Sequence, residues 1–151
     1  MSEKQWMNYH MKDWDSTDAH DSEAKARISW IIKEKKLHHF PLLDETIFIH
    51  KNSFRWTKIH PGGYESKEEL VRDWEVFKPD MLFPLRLLII EIDGDFHRNT
   101  EKGAKRTKLR NQYYEYACIK LIIYNTSKDK RYDELGNMTD EELYQDLKSK
   151  F

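Results

Sequence analysis

The sequence predicts an α/β domain built on a mixed central β-sheet flanked by helices. Strand-like and helical segments alternate along the chain, in the order helix, hairpin or strand, strand, strand, helix, strand, helix. The most apolar run, Leu87 to Ile90, reads as a buried strand and is followed at once by Glu91 and Asp93. A last strand, Ile119–Tyr124, comes after a helix and is therefore expected to lie parallel to a central strand through a crossover.

Composition narrows the class. A chain of 151 residues suits one domain, and its 5 Trp, 8 Tyr and 7 Phe argue against disorder although 35% of residues are charged and the mean hydropathy is −0.91. Apolar runs stay far short of the roughly 18–20 residues of a membrane span, and the start of the chain lacks the basic-then-apolar pattern of a signal peptide. A cytoplasmic location is the resulting expectation. With Cys118 as the single cysteine, an intrachain disulfide and a cysteine zinc site are both excluded. The net charge of −1 does not by itself announce nucleic acid.

Residues 1–22 read as a polar arm carrying Trp6, Tyr9 and Trp14, and residues 23–151 as the domain. Asp21 or Ser22 is a good N-cap for a helix running to about Lys36, with Ile28, Trp30, Ile31 and Ile32 as its apolar stripe. His38-His39 mark a loop. Glu45–Lys51 and Phe54–Ile59 read as a hairpin or one bulged strand around Asn52-Ser53. Pro61-Gly62-Gly63 breaks the chain, and Ser66–Val71 is a short helix capped by Ser66 with Glu69 three residues on. Val76–Phe83 and Leu87–Asp93 follow as the two central strands. Thr100–Ala117 is a helix with Leu109, Tyr113, Tyr116 and Ala117 on one face. A closing helix starts near Asp140, where Thr139 and Glu142 form a capping box and Leu143 and Leu147 face inward.

The central strands carry the chemistry. A two-residue turn at Leu85-Arg86 puts Asp80 opposite Glu91, and the strand period of two keeps Asp93 on the same face. Three converging carboxylates repel unless a cation or a shared proton neutralises them. Oxygen ligands suit Mg²⁺, Mn²⁺ or Ca²⁺. His97 follows Gly94 within reach of the same site. From Arg98 to Arg110 the chain carries Arg98, Lys102, Lys105, Arg106, Lys108 and Arg110 against Glu101 alone, a local excess of five positive charges. Such a run is either a solvated helix face or a phosphate-binding surface beside the acids.

Pro79-Asp80 followed by Glu91-Ile92-Asp93 resembles the PD-(D/E)xK signature of the restriction-endonuclease-like superfamily. Asp80, Pro84, Glu91, Asp93, Gly94, His97 and Arg110 are similar in type and spacing to its DUF559 branch, which is itself similar to very-short-patch repair endonucleases. The resemblance spans about Trp74 to Tyr124. It implies an α-β-β-β-α-β core and a divalent-metal site for phosphodiester hydrolysis, with Asp80 and Glu91 holding Mg²⁺ or Mn²⁺ together with the Ile92 carbonyl and Asp93. In that reading His97 either relays a proton or donates a structural hydrogen bond to one of the acids. Two positions depart from the pattern: Asp93 stands where the superfamily has Lys, so that this role is either absent or supplied by Lys105 or Lys108, and Thr107 stands where the branch has Asp.

The expected function is a metal-dependent endonuclease acting on DNA, which as a double-strand cutter would call for a homodimer. The alternatives are a non-catalytic nucleic-acid-binding or assembly module that retains the fold, and a structural Ca²⁺ site.

Overall fold

The computed structural model describes residues 19–38 and 41–151, so that residues 1–18 of the expected arm, and His39, lie outside the described residues. Helix α1, Ala19–Glu34, starts ahead of the expected cap and buries Ile28, Ile31 and Ile32, while Trp30 turns toward solvent. Strands β1 (Leu42–Leu43), β2 (Ile47–His50) and β3 (Trp56–Thr57) follow, then helix α2 (Lys67–Asp73) and strands β4 (Trp74–Phe77), β5 (Met81–Phe83) and β6 (Leu88–Asp93). Helices α3 (Asp95–Asn99) and α4 (Glu101–Tyr116) lead to β7 (Lys120–Asn125), and α5 (Asp140–Lys150) closes the chain. Among the described residues no helix is long and apolar enough to cross a membrane.

The central sheet is mixed and four-stranded, in the order β1-β5-β6-β7, with β7 parallel to β6 and the other pairs antiparallel. A second, antiparallel sheet has the order β3-β2-β4. The single strand expected over Val76–Phe83 is thus two strands in different sheets. The break falls at Lys78-Pro79-Asp80, because Pro79 has no N–H for a ladder and the Asp80 N–H bonds to a side chain instead.

Alternation along β6 separates the two cores. Leu88, Ile90 and Ile92 join Met81, Phe83, Ile28, Ile32, Leu143 and Leu147 in the layer against α1 and α5. Ile89 points the other way and packs with Leu82, Ile47, Ile49, Phe77 and Tyr114, between the central sheet, the second sheet and α4. Glu91 and Asp93 continue the Ile89 side. The period of two therefore aims both acids at α4.

The caps expected at Ser66 and Thr139 form, whereas Asp21 and Ser22 lie inside α1. Ser66 Oγ accepts from the Glu69 N–H, and Thr139 with Glu142 forms the full capping box. Thr100 caps α4 by accepting from the Gly103 N–H and also donates to the Phe96 carbonyl, which ties α4 to α3. The buried face of α4 differs from expectation: Arg110 and Tyr114 are buried with Gly103, whereas Tyr116 is exposed. At the other end of α4, Cys118 adopts a left-handed conformation (φ 59°) and the Ile119 N–H bonds to the Tyr114 carbonyl, giving a tight entry into β7.

Gly103 is where α3 and α4 meet. A Cβ there would lie 2.1 Å from the Phe96 carbonyl oxygen and 2.7 Å from Thr100 Oγ1, and the first of these is backbone that cannot rotate aside. Gly103→Ala is expected to force the helices apart and lower stability by about 1–3 kcal/mol in urea denaturation. An unchanged midpoint would show that the junction yields freely.

Candidate active site

The β5–β6 register pairs Met81 with Ile90 and Phe83 with Leu88, which sets Asp80 opposite Glu91 as the turn argument requires. The connection is a 3₁₀ turn, Pro84–Arg86, closed by Leu87 in a left-handed conformation (φ 47°). Beyond Met81 the ladder is continued by side chains. The Asp80 N–H donates to Glu91 Oε1 at 2.7 Å, and the Ile92 N–H donates to Asp80 Oδ2 at 2.7 Å. Each acid thus satisfies a backbone group of the other strand, and this fixes both carboxylates.

Two buried cations flank the pair. Arg110 from α4 grips Asp93 through both terminal nitrogens at 3.0 and 3.1 Å and lies 3.3 Å from Glu91 Oε2. Lys25 from α1 lies 3.2 Å from Asp80 Oδ1 and 2.8 Å from Asp44 Oδ1. Asp44 reaches Lys25 from a left-handed turn (φ 53°), a conformation Asp tolerates well. Tyr114, fully buried, donates its hydroxyl to Glu91 Oε2 at 3.3 Å.

Four carboxylates, Asp44, Asp80, Glu91 and Asp93, therefore meet two cations. The imbalance shows in the protonation equilibria. Burial, and then the nearby Asp80, push the Glu91 carboxyl up to about 8 against the pull of Arg110 and the Asp80 N–H. Burial also raises Asp80, opposed by Lys25. Burial pulls the Lys25 ammonium down, but Asp80 and Asp44 together outweigh it and leave it above the ordinary lysine value. Burial and then Glu91 raise the Tyr114 hydroxyl, so it stays a donor.

The acids open onto a cleft of about 450 Å³ lined by Asp80, Glu91, Ile92, Arg110 and Tyr114 together with Lys78, His97, Arg106 and Thr107. His97 Nδ1 is 2.9 Å from Thr107 Oγ1. The structure brings Asp80, Glu91, Ile92 and His97 to this cleft and gives Asp93 a different partner, Arg110. Among the described residues no group of three or more His, Cys, Asp or Glu side chains is arranged to hold a metal ion.

The six basic residues divide. Arg98 binds the Asp93 and Thr126 carbonyls at 2.7 Å each and so laces together the ends of β6 and β7. Arg106 bonds Glu75 and the Val76 carbonyl and stacks 4.8 Å from the Phe77 ring centroid. Arg110 is internal. Lys102, Lys105 and Lys108 are exposed on α4, and neither Lys105 nor Lys108 lines the cleft. Sequence reasoning missed Lys25, Asp44 and Tyr114. The Lys25 signal was present, since Lys25, Ile28 and Ile32 share one helical face and a lysine there needs a buried partner.

Two measurements test this geometry. Arg110→Met leaves Asp93 buried without its partner and is expected to cost about 3–5 kcal/mol in urea unfolding, part of which returns when Asp93→Asn is added. Folded Glu91 keeps its proton up to about pH 8, whereas an unfolded glutamate releases it near 4.5, so the native state holds the extra proton between those values. Stability supplied by that proton is lost as pH rises through the window. The Tm of metal-free protein should fall from about pH 5 to about pH 8 relative to Glu91→Gln, and parallel curves would remove the assignment.

The chain matches no family model, no curated protein and no solved structure in such comparisons.

Proposed function

We propose that this chain is a divalent-metal-dependent nuclease that hydrolyses phosphodiester bonds in DNA. The observation that carries the reading is the braced Asp80–Glu91 pair, part of a cluster of four carboxylates against two cations, which opens onto a cleft that Lys78, His97 and Arg106 also line. The order of α1, antiparallel β5 and β6, α4 and parallel β7 accords with the restriction-endonuclease-like core that the sequence resemblance implies.

The donor set suits a hard cation. Mg²⁺ is commonly held by one or two carboxylates, with water and substrate phosphate completing its shell. Asp80 and Glu91 would hold Mg²⁺ or Mn²⁺. The Ile92 carbonyl stands ready beside them, since its N–H already faces Asp80 and the two groups of a strand residue leave on one side. Such an ion supplies positive charge to the scissile phosphate and lowers the pKa of an attacking water.

The chain's own groups do the rest. Lys25 and Arg110 keep the acids in place, and Tyr114 orients Glu91. Asp93 acts through Arg110 rather than as a ligand of its own. His97 accepts or returns a proton at the water or the leaving oxygen. Lys78 and Arg106 offset charge on the phosphate, while Lys102, Lys105 and Lys108 follow the DNA backbone on the outer face of α4. Lys25 takes over from Lys105 and Lys108 as the lysine in contact with the acids.

One observation favours a second reading, a nucleic-acid-binding or assembly module that has lost catalysis. Asp93 occupies the lysine position of the resemblance and is locked onto Arg110. Cleavage of plain, nicked, mismatched, branched and single-stranded DNA with Mg²⁺, Mn²⁺ or EDTA separates the two. The nuclease is expected to cut at least one substrate only with metal, and Asp80→Ala or Glu91→Ala should each lower the rate by about 10³-fold, equivalent to roughly 4 kcal/mol. Salt-sensitive binding with no cutting would transfer the assignment to the binding module.

A further inference from the structure

His97 and Thr107 face each other across the α3–α4 junction, and both line the cleft. The fold, rather than local sequence, brings them together. Thr100 caps α4 while holding the Phe96 carbonyl, and Gly103 admits α3 closely against the first turn of α4. Thr107 lies four residues beyond Gly103 on the same helical face. His97 sits one residue after Phe96, at 2.9 Å from the Thr107 hydroxyl.

The tautomer matters chemically. A neutral imidazole that donates from one nitrogen presents the other as an acceptor. Among the described residues the Thr107 hydroxyl bonds His97 Nδ1 rather than the carbonyl one turn back, and a hydroxyl either donates to a bare Nδ1 or accepts from Nδ1–H. We infer that Thr107 is a positioning residue, its hydroxyl fixing the His97 ring and a single tautomer through Nδ1 and leaving Nε2 as the nitrogen that exchanges a proton. The hydroxyl orients the ring without adding charge to a cleft that already contains Lys78, Asp80, Glu91, Arg106 and Arg110.

The catalytic consequence rests on the nuclease reading, whereas the tautomer does not. The test is ¹⁵N NMR of the full chain, with the His97 nitrogens assigned by their loss in His97→Gln, beside single-turnover cleavage by wild type, Thr107→Val and Thr107→Ser. In wild type the ring nitrogens are expected to give the resonances of one dominant tautomer, one nitrogen protonated and the other bare. Thr107→Val should mix the two tautomers and slow cleavage by about 10²-fold with DNA affinity unchanged. Thr107→Ser, which retains the hydroxyl, should restore both readouts. Averaged tautomers in wild type, or a Thr107→Val protein with unaltered tautomer or unaltered cleavage rate, overturns the inference. If Thr107→Val fails to fold, the wild-type spectrum still decides the tautomer and Thr107→Ala takes its place in the rate comparison. If wild type cuts no substrate, the nuclease reading fails while the nitrogen spectrum still decides the assignment of Nδ1.

Discussion

Carboxylates buried at the end of a sheet are tolerated only when each oxygen has a partner, and that constraint organises the centre of this molecule. Asp80 and Glu91 each accept a backbone N–H from the opposite strand, so the acids extend the β5–β6 ladder past Met81. Were either carboxylate to swing away, a strand-end amide would lose its bond, with the usual penalty of about 1–3 kcal/mol for a buried unsatisfied group. Backbone and site are in this way a single arrangement. The acids are fixed before any ligand arrives.

Charge extends the same logic outward. Arg110 joins α4 to the end of β6, and Lys25 joins α1 to the turn before β5 and to Asp44. Helices from both faces of the central sheet thus send one cation each to its acidic end. Neither cation neutralises the cluster completely. The remaining negative charge raises Glu91 and makes the site receptive to a proton or a metal cation, the two species able to relieve it.

Helices α3 and α4 line the cleft together with the acids. Gly103 and Thr100 set the crossing of these helices, and the crossing sets His97 against Thr107. Arg106 spans from α4 to β4 through Glu75 and the Val76 carbonyl, so the second sheet also contributes to the cleft. Its link to the acids is short: β4 ends at Phe77, and three residues later Asp80 opens the reciprocal pair.

Most elements were legible in the sequence because their signals are local: caps at Ser66 and Thr139, the apolar run into Glu91, and the helix before the parallel strand. The opposition of Asp80 and Glu91 was legible too, since a short connection and a period of two determine register without knowledge of distant segments. The division of Val76–Phe83 between two sheets was not, although Pro79 marked the place, because a missing N–H says where a ladder stops and not which sheet each half joins. Which face of α4 is buried depended on long-range charge: Arg110 and Tyr114 turn inward because Asp93 and Glu91 await them, a reason that hydrophobic periodicity does not contain. Lys25 and Asp44 came to the site for the same reason, from segments 36 or more residues before Asp80. The sequence by itself determined the acids, their register and the helix that faces them; only the tertiary structure decided which cations they meet, because those contacts join residues that no local pattern relates.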